Sequence, residues 1–584
     1  MAFQDFDLIS QRREQQRKQK IRRRLMIALT ATFIVLLLAG AAVGVVMYKN
    51  SQAAGEDHSS DDGKKSPPET GTKSVAAETK AVKTACAATD YAKTCEGGLE
   101  KAVVKSSGDN LAHDILKAAL SVAADGVKTA TEKSSSLKLD GNGGLKEAAY
   151  EDCMALLRDA RDEISDAIAA VESEGVGKFS SVKPDLDSRL SAALSYQQTC
   201  VDGFPDGEAK KAMEKYLKTA KEHGSNALAI VSQSSSLLSK LSSSRKLLAA
   251  DDSGLPSWMH PEARLLKSDS TKFTPNVTVA KDGSGNFSTI NEALKAMPKT
   301  YKGRYVIYVK EGVYDESVNV SKAMTNVTMY GDGSQKSIVT GSKSFADGVT
   351  ALQTATFVVF GDGFMAQSIG FRNTAGPDKH QAVALRVQAD RAIFVNCRME
   401  GYQSPLLAQS RRQFYRSCYI TGSIDIIQGD AAAVFQNCVI YVRKGIESQP
   451  NTVTAQGRTD RHETTGFVLQ NCKILADKEL EPAKDKFKSY LGRPMQPYAR
   501  TVVMESEIGD VIEAEGWIEG PNNATFVEYK NEGAGSKTAG RAKSEQYKFD
   551  VGKDEVLKFT VGAFLQGESW IKNGDVPVKF GMFH

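Results

Sequence analysis

Histidine is scarce, with 7 in 584 residues, and no Cys-x-x-Cys pair or histidine cluster offers the spacing of a metal site. A resident metal is therefore not expected. A basic face is also lacking. The net charge is +4, but the surplus lies in residues 1–24, where Arg12, Arg13, Arg17, Lys18, Lys20, Arg22, Arg23 and Arg24 oppose Asp5, Asp7 and Glu14. The remainder is close to neutral, which argues against nucleic acid as a partner. No cysteine precedes Cys86. The 8 cysteines form two sets, Cys86, Cys95, Cys153 and Cys200, then Cys397, Cys418, Cys438 and Cys472. An even count beyond an apolar N-terminal segment suggests disulfides in an oxidising compartment.

At this length a single core is excluded and several domains are expected. Residues 1–24 read as a basic cytoplasmic tail. Leu25 to Met47 carry no charge and are long enough to span ~30 Å of hydrocarbon as a helix. The basic flank before this stretch and the acidic flank after it (Glu56, Asp57, Asp61, Asp62) put the N-terminus in the cytosol. Residues 25–47 are thus expected to be a transmembrane signal-anchor of a single-pass precursor in the secretory pathway. The rival reading is a cleaved signal peptide, which the long apolar core and long basic region disfavour. Residues 48–80, polar with Pro67-Pro68, read as a disordered linker. Sequons at Asn276, Asn286, Asn319, Asn326 and Asn523 agree with a secreted glycoprotein.

Residues 81–241 contain few strand formers. Cys153, Leu156, Leu157, Ala160, Ile164, Ala167, Ile168 and Val171 recur at helical spacing. Leu190, Ala193, Leu194 and Gln197 begin a second stripe, and Ile230, Leu237, Leu238 and Leu241 a third. An all-α helical bundle is expected. The run from Cys86 to Cys95, and Leu190-Ser-Ala-Ala-Leu-Ser-Tyr-Gln-Gln-Thr-Cys-Val-Asp-Gly-Phe204, resemble the plant invertase/pectin methylesterase inhibitor family. That resemblance implies a four-helix bundle with Cys86 paired to Cys95 and Cys153 to Cys200. The segment reads equally as an inhibitor and as a folding or transport pro-segment. Residues 242–270 read as a processing linker, with Arg245-Lys246-Leu247-Leu248 and Ala263-Arg-Leu-Leu266 as exposed cleavage candidates. Fused pectin methylesterases carry similar motifs there. This implies a subtilase-like processing protease as a partner and favours Arg245–Leu248.

From residue 271 the character is all-β. Short runs such as Tyr305–Val309, Val327–Tyr330 and Phe357–Phe360 are broken by Gly and Asn. Phe394-Val-Asn-Cys-Arg-Met399, Tyr415-Arg-Ser-Cys-Tyr-Ile420, Phe435-Gln-Asn-Cys-Val-Ile440 and Leu469-Gln-Asn-Cys-Lys-Ile474 repeat one pattern. The first three cysteines are 21 and 20 residues apart. This period in a β-rich chain marks a parallel β-helix over 271–584. Cysteines on neighbouring coils would stack ~4.8 Å apart, which suits a Cys418–Cys438 disulfide; the alternative is a reduced cysteine ladder in the core. Gln381, Gln403 and Asp425 are each 22 residues apart, so three polar groups line up on successive coils. Asp425 lies in Gly422-Ser-Ile-Asp-Ile-Ile-Gln-Gly-Asp430, among isoleucines, where an unpaired carboxylate is costly to bury.

Val279-Ala-Lys-Asp-Gly-Ser-Gly-Asn-Phe287, Gly312–Glu316, Ile369–Pro377, Gln381–Leu385, Asp425-Ile-Ile-Gln-Gly429 and Leu491-Gly-Arg-Pro494 together resemble plant pectin methylesterase. The resemblance implies a right-handed parallel β-helix in the cell wall or apoplast. It also implies hydrolysis of methyl-esterified homogalacturonan without a cofactor: pectin and water give pectate and methanol. By matching position, Asp425 is the nucleophile, Gln403 and Gln381 stabilise the oxyanion, and Gln381 and Arg493 contact substrate. Arg493 also orients the nucleophile. The general acid is missing: the family has Tyr-Gln-Asp-Thr-Leu-Tyr where this chain has Tyr402-Gln403-Ser404-Pro405-Leu406-Leu407. Met495 stands for a sugar-stacking Trp, Gly520 for a second Trp after Trp517, Ala351 for a Thr and Gln428 for a Phe. Trp517 is expected to contact substrate. The chain therefore reads as a pectinesterase slowed by the loss of its proton donor. The alternative is an inactive paralogue that binds pectin or regulates true esterases. Pectate lyase or polygalacturonase chemistry is disfavoured, because no calcium-binding carboxylate cluster or extra aspartate pair is seen.

Overall fold

The computed structural model describes residues 71–103, 111–137, 144–174, 179–234, 273–520, 523–549, 551–572 and 576–584. The expected basic tail, the apolar segment 25–47, the linker up to residue 70 and the processing motif Arg245–Leu248 lie outside these residues. Among the described residues no helix is long and apolar enough to cross a membrane.

The N-terminal part is helical: α1 (Gly71–Cys86), α2 (Ala92–Val103), α3 (Leu111–Ser134), α4 (Leu145–Glu174), α5 (Phe179–Asp202) and α6 (Glu208–Ser232). Helix begins at Gly71 and so takes in the last ten residues, 71–80, of the expected linker. The i, i+3, i+4 stripe of α4 buries Cys153, Leu156, Leu157, Ala160, Ile164, Ala167 and Val171 against α3 and α5. Leu237, Leu238 and Leu241 of the third expected stripe lie outside the described residues. Cys86 is bonded to Cys95 and Cys153 to Cys200.

The C-terminal part is a parallel β-helix. Three parallel sheets of 11, 8 and 7 strands run its length; each central turn of chain adds one strand to each sheet, and the first and last strands extend the 11-stranded sheet alone. The seven-stranded sheet, which carries the site, comprises Val318–Val320, Phe357–Val359, Leu385–Val387, Leu406–Ala408, Ile427–Gly429, Asn451–Gln456 and Ser489–Pro494. Inside, residues at equivalent positions stack from coil to coil. Phe394, Tyr415 and Phe435 lie ring on ring with centroids 5.0 and 4.5 Å apart. Burying each such side chain contributes about 1.5–3 kcal/mol.

The repeated Asn-Cys or Ser-Cys step has a backbone reason. Asn396, Ser417, Asn437 and Asn471 all adopt left-handed φ of 51–56°, a conformation that short polar side chains tolerate best. The next residue then points its sulfur into the core. The expected Cys418–Cys438 disulfide is not formed; Cys397, Cys418, Cys438 and Cys472 are all free and buried. Three of the thiols donate to a carbonyl of the preceding coil: Cys418 to Phe394 (3.4 Å), Cys438 to Tyr415 (3.6 Å) and Cys472 to Phe435 (3.2 Å). Each sulfur is thereby satisfied by the main chain, and the reduced ladder is the observed state. The sequon asparagines Asn276, Asn286, Asn319, Asn326 and Asn523 are all exposed.

Candidate active site

The turns leading into the seven-stranded sheet carry the polar groups. Gln381 and Gln403 form a parallel bridge on adjacent coils, and Asp425 occupies the next coil. Asp425 sits at φ 50° and Ser404 at φ 55°, both left-handed, so the chain bends sharply at each and re-aims the side chain.

Asp425 is buried, and its carboxylate is fully engaged. Arg493 Nε donates to Oδ1 at 2.8 Å and Nη2 to Oδ2 at 2.6 Å, a bidentate fork. Thr452 Oγ1 donates to Oδ1 at 2.8 Å and accepts from the Asp425 N–H at 2.7 Å. Burial opposes the charge on Arg493, but the hydrogen bond and charge of Asp425 outweigh it and raise the guanidinium pKa. The ion pair is held from three directions, and the carboxylate presents one geometry. Thr452 was not expected from the sequence. It lies 27 residues beyond Asp425, off the 22-residue register that reveals the other groups.

Ser404 is bound elsewhere. It is buried, and its hydroxyl donates to Gln428 Oε1 at 2.6 Å. Two positions that depart from the family pattern thus satisfy each other and form a neutral pair where an acid and an aromatic ring were expected. Asp430 is the nearest acid along the chain. Its Oδ1 accepts from Thr465 (2.6 Å) and Gln456 (2.9 Å), and burial raises its pKa to about 6. The strand Ile427–Gly429 separates it from Asp425, so five residues of extended chain put the two up to about 16 Å apart. It lines the same cleft as Ser404, with its Oδ1 already engaged by Thr465 and Gln456.

The expectation that Trp517 contacts substrate is corrected. It is 1 % exposed, stacks on Phe526 with centroids 4.5 Å apart, and donates through Nε1 to Glu528 (3.0 Å), which Arg541 neutralises. Its faces are spent on the core. At Gly520 an added Cβ would lie 2.0 Å from Pro494 Cγ, so the backbone approach leaves no room for a side chain.

The helical part lies against this sheet. A cleft of about 470 Å³ is lined by Leu156, Gln198 and Phe204 on one side and Gln381, Ser404 and Met495 on the other; Ala351 and Gln428 also line it. Tyr196 meets Ser410 at 2.8 Å, and the Thr464 N–H donates to Ser191 at 3.1 Å.

The Pectinesterase family pattern matches residues 276–568, and the pattern of the plant invertase/pectin methylesterase inhibitor family matches residues 80–230. The chain is 47% identical over 534 residues to putative pectinesterase/pectinesterase inhibitor 45 of Arabidopsis thaliana, covering 88% of this chain and 87% of that protein. It is 38% identical to pectinesterase 1 of Citrus sinensis, covering 86% and 88% respectively. The solved pectin methylesterase from carrot is similar, with 44% identity and a TM-score of 0.53, and matches 54% of this chain and all of its own. The chain belongs to the pectinesterase family, with an inhibitor-type helical region fused ahead of the β-helix.

Proposed function

We propose that this protein is a slow aspartyl esterase that removes methyl groups from homogalacturonan. The observation that carries the reading is the Asp425 carboxylate locked between Arg493 and Thr452. In this mechanism Asp425 attacks the ester carbonyl and forms an acyl-enzyme. Amide donors of Gln381 and Gln403 stabilise the developing oxyanion. The departing methoxide takes its proton from water, because the Ser404 hydroxyl is no acid near neutral pH. Water then hydrolyses the acyl-enzyme without a positioned base. The loss costs about 10²–10⁴ in rate. The helical region, read as an inhibitor-type four-helix bundle, covers the sheet until cleavage near Arg245–Leu248 releases it. The uncharged segment 25–47 supports a membrane-anchored precursor in the secretory pathway, and the exposed sequons support a glycosylated cell-wall product. The neutral Ser404–Gln428 pair favours a second reading, a paralogue that binds pectin without turnover.

The test is product analysis of methyl-esterified galacturonan treated with the region 273–584. Slow methanol release with no new reducing ends and no unsaturated ends supports the esterase. Chain cleavage would sink it, and retention of the polymer without methanol would leave the binding reading.

A further inference from the structure

The helical region touches the β-helix largely through carboxylates, and their partners are largely cations. Lys322 Nζ meets Asp159 at 2.6 Å and Asp162 at 3.3 Å. Arg411 meets Glu163 at 2.9 Å, and Arg412 meets Asp185 at 2.5 Å. Gln388 Nε2 donates to Asp159 at 2.6 Å. Three of these acids lie on α4, and Asp152, which Gln353 contacts at 2.9 Å, is a fourth. Positions 152, 159 and 163 fall at i, i+7 and i+11, on one face of the helix, and string carboxylates along a line of about 16 Å.

On the β-helix side the cations outnumber their own acids. Arg391, Arg411 and Arg412 crowd Asp390, at 3.3, 3.2 and 2.6 Å, with Asp362 the other carboxylate nearby. Arg386 is more isolated. Its guanidinium is buried, and its hydrogen bonds go to Gln409, Gln388 and the Leu352 carbonyl. Among the described residues no carboxylate pairs with it. Burial lowers its pKa, and the carboxylates that oppose this are Asp152 and Asp159 of the helical region. A buried cation balanced only by a separable region is poorly explained by stability of the β-helix alone. Three of these groups sit in or just past strands of the seven-stranded sheet: Lys322 after Val318–Val320, Arg386 within Leu385–Val387 and Arg411 after Leu406–Ala408; Arg412, next to Arg411, opens the strand Arg412–Arg416 of the 11-stranded sheet. Coils ~4.8 Å apart make this a row of roughly 15 Å along the sheet that carries Asp425.

We propose that Lys322, Arg386, Arg411 and Arg412 form a binding row for the carboxylates of de-esterified galacturonan, and that the α4 acids occupy it in place of the polymer. The row holds the polymer by its demethylated stretches, and product made at Asp425 is thereby retained beside the site. It rests on the galacturonan reading above but not on turnover. Binding is measured with polymer already de-esterified, so an inactive Asp425 leaves the result untouched.

The region 273–584 is the part to test, since the carrot enzyme stands as a folded chain of the matching extent. Its affinity for polygalacturonate, fully methyl-esterified galacturonan and dextran sulfate is measured by calorimetry at low and moderate salt. Polygalacturonate should bind best and the full chain should bind it weakly. The Lys322→Gln, Arg411→Gln pair should weaken binding about tenfold, the weight of two partly screened charge pairs. Lys322→Gln alone alters a half-exposed side chain, so its folding is not in question, and it should lose part of that affinity. Asp159→Asn with Asp162→Asn in the full chain should raise polygalacturonate binding. Unchanged affinity in Lys322→Gln, equal binding by full chain and β-helix, or equal affinity for dextran sulfate would each overturn the proposal.

Discussion

Replacing Ser404 with Asp restores a carboxyl group at the one place where the site lacks an acid. The backbone accepts it, since φ at Ser404 is 55° and Asp is among the residues that best tolerate left-handed geometry. The serine hydroxyl now donates to Gln428 Oε1 at 2.6 Å. A half-turn of the Gln428 amide would offer Nε2 to the new carboxyl, so no buried polar atom is orphaned. The neighbouring cleft gives room for the longer side chain. Burial at this position disfavours the ionised form and keeps a proton available near neutral pH. The expected gain in kcat for methanol release by the region 273–584 is about 10²–10⁴, the usual worth of a positioned acid–base group. Initial rates of methanol release on methyl-esterified galacturonan check it. A folded Ser404→Asp variant with no gain would refute the reasoning that the proton donor is the missing part.

Other outcomes follow from the same contacts. Arg493→Lys keeps the charge but loses the bidentate fork on Asp425, and a misplaced nucleophile should lower kcat about 10²-fold, read as methanol release at saturating substrate. Thr452→Val removes both hydrogen bonds and leaves the buried Asp425 N–H unpaired, so it should cost about 1–3 kcal/mol in a melting experiment as well as activity. Burial raises the pKa of Glu163 above 4.5 despite the opposing Arg411 and Arg189. A carboxyl raised in the docked state holds its proton longer there than when free. Docking is therefore favoured on the acid side and weakens as pH climbs above the ordinary carboxylate range. The Tm of the full chain should fall across that window, and less so in Glu163→Gln; a flat wild-type profile would contradict this. Thiol titration of the unfolded chain without reductant should find four reactive cysteines. Finding two would restore the Cys418–Cys438 bridge.

The sequence made the repeat legible because the β-helix imposes its period on every layer. The 20–22-residue spacing of Phe, Asn, Cys and Gln is the coil length itself, and Asp425, Gln403 and Gln381 fell into place with it. Contacts between coils of unequal length were hidden. Thr452 reaches Asp425 across 27 residues and Arg493 across 68, and only the family motif pointed to the second. The state of the cysteines was hidden for a different reason. Stacking permits either a disulfide or thiols bonded to main-chain carbonyls, and the left-handed step before each cysteine is compatible with both. Trp517 was misplaced because a motif fixes a residue's position along the chain but not which face of the backbone it occupies. The Ser404–Gln428 pair could be seen as two departures but not as one contact, since 24 residues separate them.

In the proposed mechanism the Asp425 carboxylate itself attacks the ester. Methanol release from methyl-esterified galacturonan by the region 273–584, wild type beside Asp425→Asn, tests it most directly. The amide preserves size and much of the hydrogen bonding but not the nucleophile. Slow release by the wild type, and none above background by Asp425→Asn at equal protein concentration, is the expected result. Equal rates from the two proteins would contradict it.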